Sequence, residues 1–245
     1  MIRKTSLGFA LTFVLVVTPI LGAASPRLRF DVERFANPPS DVSDLIVKAN
    51  TSTQAKFQTW LSGFRARARS QGIKPATLDQ ALNGITYAPK IVELDRRQVD
   101  FTKTIAQYLD GAVSRDRING GRAALKKYRS TLEAIEERYK VDKEVIVAVW
   151  GLETSYGGFR GKSDIIRSLA TLAFDGRRSA FFEAELIAAL KIIQSGDTSA
   201  ANMRGSWAGA MGHTQFMPSS YNAHAVDFNG DGRRSRARAR AMRWR

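Results

Sequence analysis

Residues 142–175 read DKEVIVAVWGLETSYGGFRGKSDIIRSLATLAFD, and the fold class is decided here. Val145, Ile146, Val149 and Trp150 recur at helical spacing behind Asp142, a residue type that caps helix N-termini. Ile165, Ile166, Leu169 and Leu172 repeat the pattern behind Ser163, which is expected to cap a second helix. Thr154-Ser155-Tyr156-Gly157-Gly158 separates the two. Consecutive amphipathic helices with no strand signal between them imply helix packed on helix.

The same period extends outward from this stretch. Phe57, Trp60, Leu61, Phe64 and Ala68 share one helical face, and Gln71-Gly72 stops that helix. A short helix is expected over Thr77–Leu82, ended by Asn83-Gly84. Amphipathic segments follow at Phe101–Ala112 and Arg122–Tyr139. A long helix over Ser179–Ser195 turns Phe182, Leu186, Ala189 and Ile193 inward and ends at Gly196. Strand signals are scarce and no internal repeat is present, so the expected class is mostly α. Residues 196–232 differ in character: GDTSAANMRGSWAGAMGHTQFMPSSYNAHAVDFNGDG is rich in Gly, Ser, Asn and Met. Such a stretch either lines a site on a helical scaffold or is a long surface connection.

The chain has 245 residues, 44% apolar and 25% charged, a globular composition rather than a disordered one. It contains no cysteine. That excludes a disulfide framework, a thiolate zinc site, a Cys nucleophile and a lipid anchor on an N-terminal Cys. Lys and Arg number 38 against 23 Asp and Glu, a net +15. Residues 233–245, RRSRARARAMRWR, carry seven arginines and no acid, so residues 1–232 carry +8 (15 less 7). A mildly basic body suits an anionic polymer without demanding nucleic acid. Residues 1–24 read as a secretory signal peptide, with Arg3 and Lys4, an apolar run from Leu7 to Leu21, and small Gly22 and Ala24 before the cut. The run falls short of the roughly 20 residues of a spanning helix. A signal without cysteine points to the periplasm and not to a lipoprotein.

Glu153 is the candidate for chemistry. It follows Ile146, Val149 and Trp150 at i+7, i+4 and i+3, which predicts that it shares their buried face. It also ends its helix, where the macrodipole disfavours an anion; such a placement suits a general acid. The alternative is a structural Glu paired with Arg160 or Arg167. Asp164, Asp175, Glu183 and Glu185 read as helix-start or solvent-face residues, so the two carboxylates of ordinary glycosidases, about 5–10 Å apart, are not found. His213 and His224 have no carboxylate at ligand spacing. No nucleophile elbow, P-loop or dinucleotide fingerprint is present.

The runs VWGLETSYGGFRGKSDIIRSLATLAFD and RGSWAGAMGHTQFMPSSYNAHAVDFNGDG closely resemble the membrane-bound lytic murein transglycosylase B family, and the resemblance covers roughly residues 40–232. It implies a lysozyme-like helical core (mostly α, formally α+β) with a small EF-hand-like loop. It implies cleavage of the β-1,4 bond between N-acetylmuramic acid and N-acetylglucosamine in peptidoglycan, leaving 1,6-anhydro ends. Glu153 matches the family's single catalytic Glu, first acid and then base. Ser206 and Gln215 match its substrate-contacting Ser and Gln. Tyr156, Met211 and Tyr221 are cleft-lining or core-packing positions. The expected partners are peptidoglycan glycan strands, with no nucleic acid and no membrane contact beyond the signal. The expected division is a signal over 1–24, an irregular lead-in over 25–42, an incomplete catalytic domain over 43–232 and an aberrant Arg-rich tail over 233–245. The alternatives are a catalytically dead peptidoglycan-binding protein, a lysozyme-like hydrolase, and a basic nucleic-acid-binding protein resting on the tail.

Asp227, Asn229 and Asp231, followed by Gly232, fit the first six positions of an EF-hand loop. The ninth position is Ser235, and the twelfth, where a bidentate acid belongs, is Arg238. The family's single Ca²⁺ loop is therefore expected to be degenerate here, and no cofactor is expected to be required.

Overall fold

A 31-residue helix, α1 (Ser40–Ser70), buries Phe57, Leu61, Phe64 and Ala68 along one face. Gly72, at φ 86°, reverses the chain after it. The structure, a computed structural model, describes residues 40–97, 104–228, 230 and 232–234. The chain divides into residues 1–45 and residues 46–245, and the candidate site lies wholly within the second unit. The signal, residues 25–39 of the lead-in, Asn229, Asp231 and residues 235–245 lie outside the described residues.

Among the described residues nine further α-helices follow: α2 (Pro75–Leu82), α3 (Pro89–Arg97), α4 (Ile105–Ala112), α5 (Arg115–Lys127), α6 (Arg129–Tyr139), α7 (Lys143–Thr154), α8 (Ile165–Asp175), α9 (Ser179–Gln194) and α10 (Pro218–His224). Strands β1 (Ser163–Asp164) and β2 (Arg204–Gly205) form a two-residue antiparallel pair with Ser163 opposite Gly205. The fold is mostly α, as the periodicity implies.

Two apolar clusters organise it. The larger joins α1, α2, α8 and α9 through residues such as Phe57, Leu78, Leu169, Phe182 and Leu186, and takes in Met203, Met211 and Tyr221 from the segment after α9. The smaller holds Ala124, Leu132, Val147 and Trp150, from α5, α6 and α7. Asp95 of α3 is buried and anchors the turn between α8 and α9, accepting from Arg177 Nε at 2.7 Å and from Arg178 at 2.6 Å.

Several local expectations are corrected. Arg122–Tyr139 is two helices, not one. Tyr128 leaves helical geometry at φ −110°, ψ 21°, and its ring sits 5.4 Å from that of Trp150. The cap of α8 is Asp164, whose carboxylate accepts from the Arg167 amide, and not Ser163, which pairs with β2 instead. Helix α3 has no counterpart in the sequence reading; Pro89 at its first turn was the available signal. Glu185 is not on a solvent face. It is 4% exposed and accepts from the Ser219 amide at 2.9 Å and from the Ser219 hydroxyl, holding the start of α10.

Candidate active site

The buried side of α7 consists of Val147, Trp150, Gly151 and Thr154. Val145, Val149 and Glu153 are exposed, which corrects the placement of Glu153 on the buried face. Residues 145–150 are all apolar, so the repeat alone does not fix which side faces in. The packing of Trp150 against Tyr128 and Tyr156 fixes it.

Past Glu153 the chain turns through Ser155 (φ 49°), Tyr156 (φ 59°) and Gly157 (φ 91°). Two successive non-glycine residues in the left-handed region cost on the order of 1–2 kcal/mol each, so the surroundings must hold them. Thr154 does much of this. Its carbonyl accepts from the Gly157 amide at 3.1 Å and the Phe159 amide at 2.9 Å, and its hydroxyl oxygen accepts from Gly157 as well. Tyr156 folds back over α5 and α7 and donates its hydroxyl to the Arg117 carbonyl at 2.6 Å. Glu153, on the outer side of this braced turn, takes part in no hydrogen bond or ion pair among the described residues. Arg167 is directed elsewhere, to the carbonyls of Thr86 and Tyr87.

Ser206 and Gln215 lie on the segment after β2. A Cβ on Gly161 would meet the Gly205 carbonyl oxygen at 2.0 Å, so only glycine lets the two backbones lie this close. Ser206 donates its amide to the Ala210 carbonyl at 2.8 Å, and its hydroxyl oxygen accepts from the Ala210 amide at 2.9 Å. Met211 and Phe216 pair backbone to backbone at 2.9 and 3.1 Å and form a small hairpin. Gln215 stands on it at φ 46°, with its side-chain Nε2 donating to the carbonyls of Gly212 and Arg160 at 2.9 and 3.2 Å. The Arg160 contact ties the hairpin to the loop after Glu153. Met211 and Tyr221 are 2% and 3% exposed and belong to the larger apolar cluster, and Tyr156 packs on the smaller.

In the Asp227 loop, two of the three candidate ligands, Asn229 and Asp231, lie outside the described residues. Its described carboxylate, Asp227, accepts from the amides of Gly230 and Gly232 at 2.8 Å each. Arginines stand at 233, 234, 236 and 238, and Arg234 ion-pairs at 2.8 Å with the buried Asp197, while its carbonyl accepts from the Tyr221 hydroxyl. No group of three His, Asp or Glu able to hold a metal occurs among the described residues. Arg234, beyond Gly232, thus packs against Asp197 and Tyr221.

Comparison with known proteins places this arrangement. The family model for the transglycosylase SLT domain matches residues 56–240, so the chain belongs to that family, and the match continues beyond the Gly232 limit read from the motifs. The chain is 39% identical over 127 residues to membrane-bound lytic murein transglycosylase B of Escherichia coli K12, covering 51% of this chain and 35% of that protein. Among solved structures it resembles SltB3 of Pseudomonas aeruginosa, determined with NAG-NAM-pentapeptide, at TM-score 0.72 and 46% identity over 76% of this chain and 50% of that one. It also resembles the E. coli lytic transglycosylase Slt35, determined with calcium, at TM-score 0.63 and 31% identity over 74% of this chain and 57% of that one. The chain therefore spans little more than a third of the E. coli transglycosylase B and about half of the SltB3 chain. No helix among the described residues is long and apolar enough to cross a membrane.

Proposed function

We propose that this chain is a peptidoglycan lytic transglycosylase that cleaves the MurNAc-β-1,4-GlcNAc bond with Glu153 as its single acid and base. The observation that carries the reading is Glu153 itself: an exposed carboxylate without an internal partner, on a turn braced by Thr154 and tied to the Gln215 hairpin. Glu153 donates a proton to the glycosidic oxygen and the C1–O bond breaks. The carboxylate then takes the proton of the muramic C6 hydroxyl, whose oxygen bonds to C1. The nucleophile is intramolecular, so no water is consumed and no second carboxylate is needed. Ser206 and Gln215 offer a hydroxyl and an amide carbonyl to the acetamido and hydroxyl groups of the glycan. The SltB3 complexes with NAG-NAM- and NAG-anhNAM-pentapeptide support this substrate class and this product. The signal-like leader supports action in the periplasm. Calcium has no part in the step.

Mass analysis of the muropeptides released from purified peptidoglycan tests the reading. The expected products end in 1,6-anhydro-muramic acid; reducing ends would instead mean hydrolysis. Glu153→Gln is expected to lower the release rate by about 10²–10⁴-fold, the usual contribution of a general acid–base group, while wall binding persists. A Gln variant close to the parent rate would refute the assignment.

A further inference from the structure

We propose that His213 is a positioning residue for the reaction, the bolt between the turn that carries Glu153 and the hairpin that carries Gln215. This rests on the lytic reading above. Trp150 donates its indole N–H to His213 Nδ1 at 2.9 Å, and the two rings meet edge to face with centroids 5.5 Å apart. Thr154 donates its hydroxyl to the His213 carbonyl at 2.8 Å. Trp150 and Thr154 are both buried and flank Glu153 in the last turn of α7, so side chain and backbone of one residue grip that turn twice. The following turn is shaped to the same ring, since a Cβ on Gly157 would stand 2.5 Å from His213 Cε1.

On its other side His213 lies within the Met211–Phe216 hairpin, two residues before Gln215. Displacement of the imidazole therefore shifts Glu153 and Gln215 relative to each other. The acceptor role requires Nδ1 to carry no hydrogen, which puts the ring proton on Nε2. Phenylalanine would keep the ring contact but lose the acceptor and strand a buried indole N–H. Glutamine keeps an acceptor without the ring.

The test is a double-mutant cycle on the full chain, with His213→Phe, Trp150→Phe and the pair, plus His213→Gln as the conservative variant. The readouts are anhydro-muropeptide release, thermal midpoint and the Trp150 indole resonance in ¹⁵N-tryptophan-labelled protein. A misplacement on the order of 1 Å costs about 10²-fold in rate. His213→Phe is therefore expected to lower kcat between tenfold and about a hundredfold, with KM within about threefold of the parent. The indole resonance should move upfield as its acceptor is lost. Trp150→Phe should lower kcat by a similar factor and the pair by no more than either alone, because both break one link. His213→Gln should recover most of kcat and the indole shift. Losses that multiply in the pair, or a His213→Phe effect confined to KM or to the thermal midpoint, would overturn the proposal. A parent chain that releases no anhydro product refutes the lytic reading instead. The same cycle is then read on the Trp150 indole resonance, and a resonance that His213→Phe leaves unmoved overturns the positioning role.

Discussion

The two apolar clusters do different work. The larger is held by many interlocked aliphatic and aromatic side chains of α1, α2, α8 and α9. The smaller has four buried residues, and α7 is seated there by directed contacts: Trp150 to His213, Tyr156 to Arg117, Thr154 to the turn beyond it. Apolar burial is strong but non-directional, whereas a hydrogen bond is weak but sets an angle and a distance. The candidate catalytic residue stands on the region that relies on the second kind of contact. Stability should therefore reside mainly in one region and catalytic geometry mainly in the other.

The largest expected effect lies in the first region. Phe182→Ala removes a fully buried ring from the larger cluster and should cost about 3–5 kcal/mol, measured by urea unfolding. Turnover well below the lowered transition should stay within about threefold of the parent; a much greater loss would show that the two regions are not separable.

A smaller effect, dependent on pH, belongs to the same region. Burial pushes the Asp95 carboxyl up, but the hydrogen bonds and charges of Arg177 and Arg178 more than offset it, and the group is held below its ordinary value. A depressed carboxyl contributes stability at any pH above its unfolded value of about 4 and loses it as the pH falls through the folded value. Asp95→Asn should cost about 2–3 kcal/mol at pH 7. This is below the figure for a fully buried pair, because the two guanidinium side chains are 43% and 41% exposed. The difference between parent and variant should shrink as the pH is lowered from 4, and a difference that grows in acid would invert the assignment.

The smallest effect sharpens the second region. Tyr156→Phe removes the hydroxyl bonded to the Arg117 carbonyl and should cost about 0.5–1.5 kcal/mol in thermal or urea unfolding, with KM for glycan unchanged. A tenfold rise in KM without loss of stability would make Tyr156 a sugar contact and break the division between packing and site.

The helices around the larger cluster were legible because their apolar residues are interrupted by polar ones. The repeats Phe57-Leu61-Phe64-Ala68 and Phe182-Leu186-Ala189-Ile193 each define one face, and those residues are buried. Glu153, Ser206 and Gln215 were legible as candidates through two motifs, not through any spatial cue. His213 carried no sequence signal of its role, since its partners Trp150 and Thr154 are about sixty residues away. Glu185 looked like any polar residue on a helix until α10 was placed against it.

The sequence by itself determined the mostly α class, the face buried by each interrupted helix, the family motifs, and the arginines at loop positions where a cation would need an acid. Only the tertiary structure decided which side of α7 faces inward, where the helix breaks at Tyr128, and that Arg234 packs against Asp197 and Tyr221. Periodicity records an orientation only where polar residues mark the outside. Through the unbroken apolar run of 145–150 every rotation is equally hydrophobic, so the choice falls to partners distant in sequence: the rings of Tyr128 and His213, and the turn that folds Tyr156 back onto Trp150.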